Sequence, residues 1–242
     1  MSHVLSIVIP AYNEERFLGT LLDQIRAVDL ARLGVSKQII VVDDCSRDRT
    51  AEIAAACPDV VLERHAKNGG KGQAVRTGLA RATGDLVIIQ DADLEYDPED
   101  YVPMLRALLS GQADIVYGSR YLKRPGRGRL VNLLTGKHPA QSWAAYLGGQ
   151  SLSFIALLYT GHYISDTVTA LKLFPRGIIA GLVLETTGFE LDHEITAKVL
   201  ARGYRIGEVP VAYRPRSRAE GKKIGLRDWF RARRTFARYR RG

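Results

Sequence analysis

Runs rich in valine and isoleucine return at 5–11 (LSIVIPA), 38–44 (QIIVVDD), 59–63 (DVVLE), 85–91 (DLVIIQD) and 113–119 (ADIVYGS), with segments patterned for helices between them. A strand that is apolar on both faces has to be covered on both faces. Strands of that kind alternating with helices pack as a mostly parallel central sheet flanked by helices, so the chain is expected to be a single α/β domain. Its 242 residues, 46% of them hydrophobic, suffice to bury such a core.

The helical segments have recognisable starts. Asn13 is placed to cap a helix running to about Val28, Asp48 to open one through Ala56, and residues 70–82 form a third; Pro98 stands near the start of a fourth that ends before Gly111. Later come a strand at 169–174 (TALKLF), a helix over about 191–202 and an extended stretch at 204–216. From 139 to 165 no Asp, Glu, Lys or Arg occurs, but Gly148, Gly149, Gln150 and Gly161 interrupt the stretch and argue against a membrane span. Two readings remain for it: a buried helix of the second half, or an interfacial helix lying on a membrane.

Ligands of such sheets collect at the carboxyl ends of the strands. Tyr12, Asn13 and Glu14 follow the first run, Asp43 and Asp44 end the second, and the fourth (VIIQDADLEYD) leads straight into Asp91, Asp93, Glu95 and Asp97. Side chains alternate along an extended chain, so Asp91, Asp93 and Glu95 are expected to converge on one side of the strand exit. Packed together without a cation they would repel one another and take up protons. Oxygen-only ligands favour Mg2+ or Mn2+, ions that bridge carboxylates to a substrate diphosphate. The alternative is a solvated acidic loop; Asp97 and Glu99, beside Pro98, are expected to cap the next helix.

Composition removes other classes. Cys45 and Cys57 are the only cysteines and neither sits in a CxxC, so neither a disulfide framework nor a thiolate zinc site is expected, and the compartment is read as reducing. No basic-then-apolar leader precedes the first strand, which leads to an expected cytoplasmic location. The net charge of +9 resides in residues 216–242, where eleven basic residues face Glu220 and Asp228.

The segments SIVIPAYNEE, VVDDCSRDRT, NGGKGQAVRTGL, QDADLEYDP, YGSRY, GFELDHEITAKVLARGYRIGEVPV and PRSRAEGKK, in that order, resemble glycosyltransferase family 2, of the GT-A fold. Within it the likeness is to the dolichyl-phosphate mannose synthase and polyprenyl-phosphate hexosyltransferase branch, and it covers about residues 4–223. The resemblance implies a GT-A domain over 1–216, with a nucleotide-binding half over about 1–95 and an acceptor half over about 96–216, followed by a basic amphipathic tail at 217–242. It implies inverting transfer of a hexose from a nucleotide-diphospho sugar, of the GDP-mannose or UDP-glucose type, to a polyprenyl phosphate or another envelope acceptor. The donor base, the sugar and the oligomeric state stay open.

Carried over by position, Pro10, Ala11, Tyr12 and Glu14 would line the nucleotide pocket, with Val42 and Asp44 near the base. Asp91, Ala92 and Asp93 would be the DxD segment, with Asp93 and Glu95 as metal ligands. Lys71 and Gly72, where a glycine-rich turn meets a helix start, suit phosphate contact. Arg120 would hold the acceptor phosphate, and Arg216 and Lys222 would close over the donor diphosphate. Each has a plainer local reading: packing for Tyr12, a helix cap for Asp44, a simple turn for Gly69 and Gly70, a solvated basic loop for the cations.

A polyprenyl phosphate attacks already ionised and needs positioning rather than a base. A sugar hydroxyl would need one, and GFELDHE offers Glu190, Asp192 and Glu194, with Asp192 or Glu190 the candidate; the plainer reading is that these carboxylates cap the helix that follows. His193 is assigned to that helix rather than to the chemistry, and Asp166 is a candidate brace for the acceptor side. In the tail, Trp229, Ala232, Phe236 and Tyr239 recur at helical spacing among arginines, which fits contact with an anionic membrane, packing on the domain, or nucleic acid, in that order. A sugar-nucleotide pyrophosphorylase would need a glycine-rich loop after the first strand, and a dinucleotide-dependent oxidoreductase a GxGxxG there; PAYNEE is neither.

Overall fold

The computed structural model describes residues 2–122, 143–214 and 226–239. In chain order the elements are β1 (His3–Ala11), α1 (Leu18–Ala27), β2 (Val35–Asp43), α2 (Thr50–Ala55), β3 (Val60–Arg64), α3 (Lys71–Arg81), β4 (Leu86–Ile89), α4 (Tyr101–Leu109), β5 (Ile115–Ser119), α5 (Trp143–Thr160), β6 (Lys172–Pro175), α6 (Arg176–Ala180), α7 (Leu191–Ala201), β7 (Ile206–Pro210) and α8 (Leu226–Tyr239). The strands form one seven-stranded sheet in the order β3-β2-β1-β4-β6-β5-β7.

Alternation along β1 shows how the sheet acquires two covered faces. Ile7 and Ile9 join Leu18, Leu21, Leu22 and Ile25 of α1 and Tyr101, Met104 and Leu105 of α4 on one side. Val8 points the other way, into a cluster with Ala74 and Val75 of α3 and Leu191, Ile195 and Val199 of α7. Each large aliphatic side chain so buried contributes about 1.5–3 kcal/mol.

The sheet is parallel except at β6, which runs antiparallel to both β4 and β5. Lys172, its first residue, lies opposite Ile89, the last of β4. The reversal therefore delivers the start of β6 to the edge where β1, β2 and β4 end.

Two helix starts differ in kind. Asp48 opens α2 as expected, its Oδ1 accepting from the Thr50 amide at 3.0 Å and the Thr50 hydroxyl at 2.5 Å. Asn13 caps nothing: α1 begins only at Leu18, and Asn13 adopts φ 58°. Its amide donates to Ser46 Oγ and its Oδ1 accepts from the Arg47 amide, both at 2.9 Å, so it clips the β1 exit to the β2 exit.

The apolar stretch around α5 is neither fully buried nor fully exposed. Leu152, Ser153 and Ala156 face the protein while Leu147, Phe154 and Leu158 face solvent. Among the described residues no helix is long and apolar enough to cross a membrane. The tail helix α8 turns its apolar seam inward: Phe236 and Tyr239 cluster with Ala156 and Ala197, and Trp229 Nε1 donates to Ser151 Oγ at 2.8 Å. Phe236 and Tyr239 are thus buried and Trp229 half-buried, in line with the alternative that the tail packs on the domain, while Phe230 is exposed.

Candidate active site

The first wall of the site is the exit of β1 zipped onto the exit of β2. The Glu14 amide donates to Thr50 Oγ1 at 2.8 Å, the Glu15 amide to Asp48, and the Asp44 amide to the Ala11 carbonyl. Pro10 and Tyr12 are half-buried along this seam and Ala11 is buried. Val42, expected near the base, has its side chain in the core cluster beneath α3, because the register that pairs it with Pro10 turns it inward.

Asp44 neither caps α2 nor stands open toward a base. Its Oδ1 accepts from the Gly69 amide at 2.8 Å and meets His65 Nδ1 at 2.6 Å, and its Oδ2 accepts from the Gly70 amide at 2.8 Å. The carboxylate shapes the glycine turn that leads into α3. That turn is tight against the loop before α7: the Thr187 carbonyl accepts from the Gly72 amide at 2.7 Å and from the Gln73 amide at 3.2 Å. Gly70 has φ +87°, and a Cβ there would lie 2.6 Å from the Thr187 oxygen. The Gly72 and Gln73 amides are thus satisfied by protein, which corrects the picture of Gly72 offering its amide to a phosphate.

Lys71 reaches the other way. Its Nζ lies 2.8 Å from Asp91 Oδ1 and 3.5 Å from Asp192 Oδ2. Lys172, wholly buried, donates to Asp192 Oδ1 at 2.7 Å and to the Thr169 carbonyl, with the Tyr117 ring 5.0 Å away. Four charges from four elements therefore alternate in sign: Asp91, Lys71, Asp192, Lys172. Burial works to raise the Asp192 carboxyl, but the two lysines overcome it and hold it below the usual carboxylate range. Burial lowers Lys172 against the pull of Asp192. Burial also opposes the charge on Lys71, and Asp192 and Asp91 together raise it above its ordinary value.

The acidic turn itself departs from simple alternation. β4 ends at Ile89, and Leu94 sits at φ 58°, so residues 91–95 follow a turn rather than a strand. Asp93 is 9% exposed and its Oδ1 accepts from the Glu95 amide. Glu95 Oε2 accepts from the Tyr213 hydroxyl at 3.0 Å, while its carbonyl accepts from the Arg214 amide. Among the described residues no three His, Cys, Asp or Glu side chains stand close enough to hold an ion by themselves. Arg216 and Lys222 lie outside the described residues, although Arg214, two positions earlier, is already fastened to the acidic turn.

On the far side, Arg120, its side chain 11% exposed, is forked onto Asp166, Nε at 2.6 Å and Nη2 at 2.7 Å. Its guanidinium lies 5.0 Å from the Tyr213 ring. Burial opposes its charge and Asp166 more than restores it, so its pKa rises well above the ordinary value. Asp166 is fixed in turn, since Glu208 accepts from the amides of Ser165 and Asp166. Glu190 stands at the start of α7 with a buried Oε2 that has no partner among the described residues, and Glu194 holds the amides of Glu185 and Thr186. His193 lies buried on α7, its ring 5.2 Å from that of Phe236.

Lys172 and His65 are the members that sequence reasoning passed over. A lone lysine inside the apolar run TALKLF was a visible signal, because a charge is not buried there without a partner. His65, one residue past β3, bridges Asp44 and Thr77 and carried only its strand-end position as a clue.

An α/β sheet with acids and fixed cations gathered at its carboxyl edge is the frame of a GT-A protein, and the chain belongs to glycosyl transferase family 2, whose sequence profile matches residues 6–170. It is 32% identical over 225 residues to the dolichol-phosphate mannosyltransferase of Pyrococcus furiosus, an alignment spanning 91% of this chain and 59% of that protein. A UDP-N-acetylglucosamine–dolichyl-phosphate N-acetylglucosaminyltransferase of Methanococcus voltae is 26% identical, with 94% of each chain covered. In fold the chain is similar to the mannosyl-3-phosphoglycerate synthase of Rubrobacter xylanophilus, with a TM-score of 0.67 at 23% identity over 98% of this chain and 73% of the other. It also resembles the Mycobacterium tuberculosis glucosyl-3-phosphoglycerate synthase crystallised with Mn2+ and UDP, with a TM-score of 0.64 at 23% identity over 90% and 74%.

Proposed function

We propose that the chain transfers a hexose, with inversion, from a nucleotide-diphospho sugar to a polyprenyl phosphate. One observation carries the reading: at the exit of β4, Asp91 and Asp93 adjoin a lysine held between two carboxylates, with the Arg120–Asp166 fork across the sheet edge. The relatives named for dolichyl-phosphate transfer support the acceptor class.

Asp93 and Glu95 offer only oxygen donors, and the Lys71 ammonium against Asp91 shows that this edge already draws positive charge. Such a set fits Mg2+ or Mn2+, which fill their remaining positions with water and phosphate oxygens. When bound, that ion would supply charge stabilisation for the departing diphosphate. Lys71 adds a fixed cation beside it, held in place by Asp91 and Asp192, and Arg216 and Lys222 are assigned to the diphosphate on the motif they occupy. Arg120, locked by Asp166, orients the acceptor phosphate toward the opposite face of the sugar C1. No general base is needed, because the attacking phosphate is ionised near neutral pH.

In the same reading the chain works from the cytoplasm at a membrane surface, where exposed Leu147, Phe154, Leu158 and Phe230 suit contact with lipid. A second reading, transfer to a sugar hydroxyl, is favoured by one observation only: the unpartnered Oε2 of Glu190. Asp192 serves it poorly as a base, being ion-paired and held below the usual carboxylate range.

The test is a thermal-shift screen with UDP, GDP and their sugars, with and without Mn2+, followed by transfer assays on polyprenyl phosphate. One donor should raise Tm in a Mn2+-dependent way. Asp93→Asn should abolish transfer, and unchanged transfer by that variant at saturating Mg2+ or Mn2+ would refute the reading.

A further inference from the structure

Apart from the acidic turn, a cavity of about 510 Å³ opens between α8 and the loops that carry Gly69 and Thr187. That is the size of a small-molecule site. Asp91, Asp93 and Glu95 do not line it.

Ala232, Thr235, Phe236 and Tyr239 are the buried seam on which α8 packs. Arg231, Arg234 and Arg238 each precede one of those residues, so all three project from a single flank of the seam, and all three line the cavity. Arg233 stands on the other flank and does not. The facing wall is built from Gly69, Gly70, Thr186 and Thr187, small residues and hydroxyls that let a ligand approach the backbone. Among the described residues Glu190 is the only acid in the lining. Arg238 is paired with Glu185, at 2.8 Å, whereas Arg234 has no ion pair among the described residues.

Arginines free to move spread apart to reduce their repulsion. Here a packed helix holds three of them around one concavity opposite threonine hydroxyls, an arrangement whose matching ligand is an anion able to accept several charge-assisted hydrogen bonds at once. Phosphoryl oxygens fit the guanidinium fork in that way. We propose that this cavity is a second site, distinct from the donor site, that binds a phosphoryl anion. The ligand would lie against Gly70, the residue before Lys71, and so against the turn that positions the lysine of the acidic edge.

The site does not rest on the transferase reading, and the test separates the two. The full chain is titrated calorimetrically with inorganic tripolyphosphate in EDTA, and is co-sedimented with phosphatidylcholine vesicles with and without phosphatidic acid. Arg234→Gln and Arg233→Gln remove the same charge from the two flanks of one helix. Saturable binding that Arg234→Gln weakens by about tenfold or more, and Arg233→Gln by less than about twofold, supports the site. If that selectivity appears with tripolyphosphate alone, the ligand is a free phosphate; with vesicles alone, a lipid headgroup; with both, the shared phosphoryl chemistry is what is read. Equal losses in the two variants, or no saturable binding to either probe, overturn the proposal. Lys222→Gln, a change at a position assigned to the donor diphosphate, should bind tripolyphosphate as the wild type does; loss of binding there would place the probe in the donor site and overturn the proposal as well.

Discussion

The two halves of the sheet hold their functional groups by different means. From β1 to β4, each motif follows its own strand and is fixed by hydrogen bonds from backbone amides: Asp48 on Thr50, Asn13 on the β2 exit, Asp44 on the glycine turn. From β5 onward, the groups are fixed by ion pairs set into the protein, Arg120 with Asp166 and Lys172 with Asp192. The first kind of site can be altered piecemeal. In the second, each charge is tolerated only because its partner is present, so removing one leaves the other stranded.

Breaking that contrast should show in stability before it shows in activity. Asp166→Ala strands the largely shielded Arg120 guanidinium and should cost about 3 kcal/mol in urea unfolding. The Arg120→Met/Asp166→Leu pair should lose less than the single variant; a single variant costing under about 1 kcal/mol would put the fork among ordinary surface pairs.

Next in size is a pH effect. Burial holds the His193 imidazole down to about 4 from its ordinary 6.5. The unfolded chain therefore binds that proton below about pH 6.5 and the folded chain only below about 4, so stability is full above that window and falls as pH drops through it. The loss approaches about 3 kcal/mol by pH 4. Urea midpoints at pH 7 and pH 4.5 measure it, and His193→Gln should flatten the difference.

Among the backbone-bonded groups, Gly70→Ala should cost about 2 kcal/mol, since it meets both the positive φ and the Thr187 oxygen. Asp48→Ala removes one helix start and should cost only about 1 kcal/mol. If these two proved as costly as Asp166→Ala, the distinction between the halves would be lost.

The same contrast governs what the sequence makes legible. Strand runs in the first half and their terminal acids could be read directly, because hydrophobic periodicity and the strand-end rule are local. Lys71 could be noticed but not paired: its carboxylates, Asp91 and Asp192, come from the turn after β4 and from α7. The direction of β6 was hidden, since a four-residue apolar run reads alike in either sense, and with it the delivery of Lys172 to the active edge. The acidic turn misled in detail because Leu94 enters the left-handed region, where period-two alternation ends. Spacing showed that α8 is amphipathic; only the presence of Ala156 and Ala197 shows what its apolar seam covers.

The central claim is that the β4 exit holds a divalent cation together with a nucleoside diphosphate. Paramagnetic titration of Mn2+ against wild type and Asp93→Asn, with the nucleotide found in the thermal screen at saturation, tests it most directly. The account predicts that Mn2+ binds the wild type with nucleotide present and that its dissociation constant rises by about 100-fold or more in the variant. An unchanged constant in the variant, with the fold intact, would contradict it.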